Sequence, residues 1–292
     1  MQVPAQFEYR RATSVQDAVA LLARYGSESR VVAGGHSLIP MMKLRLAQPE
    51  LLVDINDLAE LGGVRVVDGE LRLGALLRHA ELLACAEAGE RVPVLHDAER
   101  VIADPAVRNR GTVGGSVCQA DPSEDLSAAF CALRAVAVVR GTDGHEREVP
   151  MRAFFRGPYE TAVGPAELLV ELRVSLWSTG SAYVKVDRRS GDWAVAAAAA
   201  ALRLEPDGTV ADVGIGLTAV GARGFVAAEA EDDLRGRAAG VDAFARAGRL
   251  AAAHCAPVAD QRGPVDYKRH LAGELTVRAL ARAADRTGVP WR

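Results

Sequence analysis

The sequence predicts an α+β protein built as two domains, and three observations lead there. Its 292 residues are enough for two compact domains, since single cores stop growing near about 250 to 300 residues. Up to residue 177, short β-branched runs alternate irregularly with helical patterns. Beyond it, three β-rich runs are followed by two amphipathic helices.

Ser14-Val15-Gln16-Asp17 has a capping-box pattern and opens an apolar helix through Ala18, Leu21 and Leu22 to about Gly26. Arg30 to Ala33 reads as a strand that runs straight into Gly34-Gly35-His36-Ser37-Leu38, a glycine turn. Leu51 to Ile55 is a second short buried strand, and Val64 to Val67 with Glu70 to Leu73 flank the hairpin signal Asp68-Gly69. After His79 one helical pattern leads to Val101. Gly111 to Ser116 reads as a second glycine-rich turn, and Asp121 to Asp125 as the cap of a helix through Leu126 to Leu133.

Strands are expected again at Ala135 to Arg140 and Leu168 to Val174. Ser178 to Ser181 is small and polar between apolar runs, so the domains are expected at 1–177 and 178–292. Ala182 to Val186, Trp193 to Leu204 and Val210 to Val220 then read as three strands. The alanine run in the second of them favours helix by propensity. It nevertheless leads directly into Asp207-Gly208 and another β-rich run, which decides for a strand. Val241 to His254 and Tyr267 to Arg286 carry helical spacing of apolar residues.

Lys plus Arg total 35 against 38 for Asp plus Glu, a net charge of -3, so neither nucleic acid nor an anionic membrane surface is an expected partner. The longest apolar run, Trp193 to Leu202, is too short for a membrane span, which needs about 20 residues. The chain opens without an apolar leader, so a cytoplasmic location is expected. Cys85, Cys118, Cys131 and Cys255 lie far apart with no C-x-x-C pair, and the histidines form no H-E-x-x-H, so no metal site is expected.

The two glycine segments carry the chemistry. A dinucleotide pyrophosphate needs backbone N–H groups converging on its oxygens, and glycine allows close approach and positive φ. Ala33-Gly34-Gly35-His36-Ser37 and Thr112-Val113-Gly114-Gly115-Ser116 both offer this, with hydroxyls from Ser37, Thr112 and Ser116. A Cβ at Gly35 or Gly114 is expected to evict the cofactor while leaving the fold intact. No G-x-x-x-x-G-K-[ST] is present, and Gly214-Ile215-Gly216 lacks a glycine three residues later, so neither a P-loop nor a Rossmann fingerprint is found. No nucleophile and base set is visible, and the catalytic residues are unknown.

Val31-Val32-Ala33-Gly34-Gly35-His36-Ser37-Leu38-Ile39-Pro40, continuing to Leu46 and closing with Leu52-Val53-Asp54-Ile55-Asn56, resembles the first FAD motif of the carbon monoxide dehydrogenase and xanthine dehydrogenase flavoprotein family. Ile102 to Ser116, followed by Ala120-Asp121-Pro122 and Asp125-Leu126, resembles the second. The similarity continues through Tyr183-Val184-Lys185 and Ser190-Gly191-Asp192-Trp193 to the helix around Tyr267. Cys118-Gln119 stands where Ala-His is frequent, and Ser123-Glu124 where Ala-Ala is.

The resemblance implies a p-cresol methylhydroxylase-type FAD domain of two lobes, about 1–57 and 58–177, and a smaller C-terminal domain with a three-stranded antiparallel sheet and helices. It implies that Val31 to Leu38 and Thr112 to Ser116 hold the pyrophosphate and its neighbours. Asp125 would accept hydrogen bonds from FAD, Ile102 and Leu169 would pack near the flavin, Lys185 would sit beside the ring, and Trp193 would lie against it. On residue type alone, Asp125 serves equally as a helix cap, and Trp193 and Leu169 as core residues. The implied function is that of the electron-transferring FAD subunit of a molybdenum hydroxylase. Its partners would be a molybdopterin-containing large subunit and a small subunit with 2Fe-2S clusters, in a heterotrimer that dimerises. Quinone, oxygen or NAD would be the acceptor, and the complex could bring the chain to the inner face of the membrane. A self-contained flavin oxidoreductase and a flavin-free assembly subunit are the alternatives, separable by the colour and activity of the isolated chain.

Overall fold

The computed structural model describes residues 3–291, apart from the side chain of Arg223. The first lobe contains β1 (Glu8–Arg11), α1 (Val15–Tyr25), β2 (Ser29–Val32), α2 (Leu38–Lys43) and β3 (Leu51–Asp54). Its three strands form a parallel sheet in the order β1-β3-β2. Ser14 caps α1 by accepting from the Asp17 N–H, and the buried face of the helix, Val15, Ala18, Val19 and Leu22, covers the sheet.

The second lobe opens with β4 (Val64–Val67) and β5 (Glu70–Gly74). Asp68 and Gly69 both take positive φ between them, as a two-residue hairpin turn requires. Next come α3 (His79–Ala84), α4 (Ala86–Arg91), α5 (Pro93–Val101), α6 (Pro105–Arg108), α7 (Val113–Gln119) and α8 (Asp125–Ala132). The lobe closes with β6 (Val136–Arg140), β7 (Glu146–Pro150), α9 (Met151–Phe154), β8 (Phe155–Gly157), β9 (Glu160–Thr161) and β10 (Leu168–Ser175). The order β4-β5-β10-β6-β7 gives an antiparallel five-stranded sheet. The single helical pattern expected from His79 to Val101 is three helices, because the backbone leaves helical geometry at Cys85 and Val92 and Pro93 begins the third.

The remainder contains β11 (Gly180–Asp187), β12 (Ala194–Leu204), β13 (Val210–Thr218), α10 (Ala228–Leu234), α11 (Val241–His254) and α12 (Val265–Asp285). The three strands are antiparallel in chain order. The alanine run of β12 is a strand, and its period of two explains the composition. Ala197, Ala199 and Ala201 face the core of the second lobe, while Ala196, Ala198 and Ala200 face the core beneath α12. Small side chains on both faces let helices approach from both sides. Gly214 and Gly216 on β13 take this further, since a Cβ on either would run into the backbone of α8 at Ala132 and Ala128.

Gly216→Ala is expected to destabilise the chain by about 1–3 kcal/mol, the usual cost of overpacking a filled interface. Denaturant midpoints measure this, and an unchanged midpoint would mean that α8 is free to move away from β13.

Candidate functional site

A cleft of about 920 Å³ lies where the two lobes meet, and β11 and the loop before β12 also contribute to its wall. This is at the upper end of ordinary ligand sites, at about 300–1,000 Å³. Val31, Val32, Ala33, Gly34, Gly35, His36, Ser37 and Leu38 all line it. Gly35 has φ +78°, a conformation costly for residues with a Cβ. No described residue accepts a hydrogen bond from the backbone N–H groups of Gly34, Gly35, His36 and Ser37. They are bare donors along one wall.

The second glycine segment is built differently from the turn expected. Thr112 is the N-cap of α7, and its Oγ1 accepts from the Gly115 N–H at 3.0 Å. The N–H groups of Val113, Gly114 and Ser116 donate to Leu77, Ala75 and Thr112 carbonyls. The segment therefore presents no bare amides at these positions; it offers the cleft the hydroxyls of Thr112 and Ser116 and the side-chain-free surface of Gly114 and Gly115. Val113 corrects the expected set, because its side chain is fully buried in the core of the second lobe and does not line the cleft. The expectation for Gly114 is also corrected. A Cβ there would lie 2.6 Å from the Ala75 carbonyl oxygen and 2.7 Å from its Cβ, so a larger residue breaks the packing of the lobe itself.

The two segments do meet. A Cβ on Gly34 would lie 2.5 Å from the Arg110 carbonyl oxygen and 2.7 Å from Gly111 Cα, so the two backbones touch. A polar chain missed in the sequence fastens them. Asn56 Nδ2 donates to the Ala33 carbonyl at 2.9 Å, Arg78 Nη2 donates to Asn56 Oδ1 at 2.7 Å, and Arg78 Nη1 donates to the Arg110 carbonyl. Asn56 closes the first motif, whereas Arg78 lies outside both.

The remaining expected residues converge on the same cleft. Ile102 and Leu169 line it and are buried, and Trp193 lines it while 44% exposed. Trp193 is brought there by Gly191, whose close approach to the Ala103 backbone leaves no room for a Cβ. Lys185 is an internal side chain, 2% exposed, that donates to Asp125 Oδ2 at 2.9 Å and to the Val101 carbonyl at 3.1 Å. Tyr183 donates to the other Asp125 oxygen at 2.6 Å. Capping of α8 falls to Glu124, which accepts from the Leu126 and Ser127 amides, leaving Asp125 free to face Lys185. Each Asp125 oxygen still has a lone pair available for a ligand.

Burial raises the Asp125 carboxyl above its usual range, with Lys185 opposing, and pushes Glu124 up to about 7. Buried acids at a cleft are the kind of group that marks a functional site. Cys118 and Gln119 also line the cleft. Burial lifts the Cys118 thiol to about 12, which makes it inert, while Gln119 Nε2 reaches Met41 Sδ across the lobes at 3.8 Å. Among the described residues, no cluster of three His, Cys, Asp or Glu could hold a metal ion, and no helix is long and apolar enough to cross a membrane.

Bare amides on one lobe, hydroxyls on the other and a buried acid beside them define a dinucleotide-binding protein of the two-lobed flavoprotein class. Residues 5–177 match the family described as the FAD binding domain in molybdopterin dehydrogenase, and residues 181–283 match the CO dehydrogenase flavoprotein C-terminal domain. The chain belongs to this family of FAD-binding oxidoreductase components of molybdenum hydroxylases. It is 41% identical to the carbon monoxide dehydrogenase medium chain of Hydrogenophaga pseudoflava, covering 95% of this chain and 97% of that one. It is 40% identical to the carbon monoxide dehydrogenase medium chain of Afipia carboxidovorans, over 97% and 99% of the two chains. The solved structure of carbon monoxide dehydrogenase from Hydrogenophaga pseudoflava lacking the Mo-pyranopterin moiety superposes with a TM-score of 0.93, at 43% identity over 97% of this chain and 99% of that one.

The buried Glu124 generates a pH prediction. Its carboxyl holds its proton up to about 7 in the folded chain, against an ordinary value of 4.5. Folding therefore takes up a proton between these values, and this contribution, full below the lower one, is lost as pH rises through the upper one. Wild-type stability is expected to fall by about 3 kcal/mol across that window, and Glu124→Gln to flatten the fall. Identical pH profiles of the two in denaturant titrations would mean that Glu124 is ionised throughout.

Proposed function

We propose that this chain holds FAD across the cleft and works as the electron-transfer subunit of a molybdenum hydroxylase of the carbon monoxide dehydrogenase type. It would take electrons from the 2Fe-2S clusters of a small partner subunit and pass them to an external acceptor, while a molybdopterin-containing large subunit oxidises the substrate. The observation that carries the reading is the contact of Gly34 with Arg110 and Gly111, which brings the bare amides of one lobe against the hydroxyls of the other.

The residues present fit an FAD. The amides of Gly34 to Ser37 would receive anionic oxygens, and the Thr112 and Ser116 hydroxyls would add donors from the facing lobe. Asp125, steadied by Lys185 and Tyr183, would accept from the cofactor. Ile102 and Leu169 would exclude water from the ring system, and Trp193 would cover it at the mouth. Bound FAD supplies redox chemistry that no side chain of the protein offers. No acid and base pair for substrate oxidation needs to lie in this chain, because the reading assigns that step to the large subunit. The same reading divides the chain into domains at 1–177 and 178–292 and assigns it to the cytoplasm, free or at the inner face of the membrane through its complex.

The purified chain is expected to be yellow or to take up FAD on reconstitution, and Gly34→Ala to weaken binding at least tenfold, about 1.4 kcal/mol, by forcing the loops apart. Absorbance spectra and flavin titrations measure this. A colourless wild type that cannot be reconstituted would favour an assembly role, and equal affinity in the variant would remove the loop contact from the site.

A further inference from the structure

Behind the cleft wall lies a linear polar relay that the roles above do not use. His79, 2% exposed, begins α3. Its Nδ1 stands 3.1 Å and 3.0 Å from the two Glu99 carboxylate oxygens, and its Nε2 stands 3.2 Å from Ser116 Oγ. Glu99 is fully buried on α5, while His79 and Ser116 both line the cleft. The order acid, imidazole, hydroxyl is that of a nucleophilic triad. Nucleophilic use also needs bare amides beside the hydroxyl to hold an oxyanion; those of Val113 to Ser116 are committed within the chain, and the bare ones of Gly34 to Ser37 stand on the other lobe. The relay is therefore suited to orienting a hydroxyl.

A serine hydroxyl has one proton, so the state of His79 fixes where that proton points. With both imidazole nitrogens protonated, Nδ1–H donates to Glu99 and Nε2–H to Ser116 Oγ, and the serine proton is free to turn to the cleft. With His79 neutral and Nδ1–H still on Glu99, the serine O–H donates its hydrogen bond to Nε2, leaving oxygen lone pairs to meet an anion. We propose that Glu99 and His79 are positioning residues that hold Ser116 as a hydroxyl donor to the cleft, so that tight retention of the anionic cofactor depends on the imidazolium form of His79. This rests on the FAD reading above.

The charged groups facing the imidazole are Glu99 from α5 and Glu124 and Asp125 from α8. Lys185 of β11 offsets Asp125, and Arg108 of α6 acts on Glu99. Burial disfavours charge on His79, but the Glu99 carboxylate outweighs it and holds its pKa above the ordinary histidine value. The charged form is therefore complete below that ordinary value and is lost as pH rises through the higher folded value.

The test is FAD titration of the apo full-length chain from about pH 6 to about pH 9, followed by flavin fluorescence. Wild-type affinity is expected to fall about tenfold as pH rises, from loss of one charge-supported hydrogen bond. Ser116→Ala, which keeps the fold because it only deletes an oxygen, should start at the weaker value and show no such fall, while Ser116→Thr should restore it. Glu124→Gln, run in parallel because Glu124 titrates near the same range, should keep the fall. The inference is overturned if wild type binds FAD with no fall, if Ser116→Ala keeps it, or if Glu124→Gln abolishes it. A wild type that binds no FAD at any pH overturns the underlying reading as well.

Discussion

The structure depends on one close approach, that of Gly34 against the Arg110 and Gly111 backbone. No side chain fits between these segments, so the two lobes are locked at a spacing set by main-chain atoms. Asn56 and Arg78 supply the directional part of the joint, running hydrogen bonds from the Ala33 carbonyl to the Arg110 carbonyl. Because the donors of one lobe and the hydroxyls of the other are presented at this joint, the geometry of the cleft follows from it. A site fixed by backbone contact is preorganised, and the entropy of assembling it is met on folding rather than on binding.

The C-terminal sheet completes the same cleft from behind. Its alanine and glycine strands let α8 settle deep against them, and α8 is capped by Glu124 and begins with Asp125. The register of β11 then sets Tyr183 and Lys185 on Asp125. A buried carboxylate without such partners would be strongly disfavoured. The small residues of β12 and β13 thus determine where the charged residues of the cleft stand, and packing and electrostatics are one problem here.

Much of this was legible in the sequence, because much of it is local. The Asp68-Gly69 turn, the Ser14 cap and the helix from Val241 to His254 are each written in adjacent residues. The first glycine segment is similar, with a strand leading into a residue at positive φ. The second was misread because glycine has two uses. At Gly114 it clears a carbonyl rather than adopting positive φ, and Thr112 caps a helix by accepting from the Gly115 N–H. A threonine three residues before Gly115 was the available signal. Asp125 could not be told from a cap by its own neighbours, since the adjacent Glu124 takes that role and its partner Lys185 lies sixty positions away. Arg78, His79 and Glu99 escaped for the same reason, as their partners come from other elements.

The most direct test is residue-resolved amide hydrogen exchange of the chain with and without FAD. The proposed FAD site predicts new protection at the amides of Gly34 to Ser37, which no described residue engages, and little change at Val113 to Ser116, whose hydrogen bonds already exist. Protection confined to the second segment, or to neither, would contradict the account.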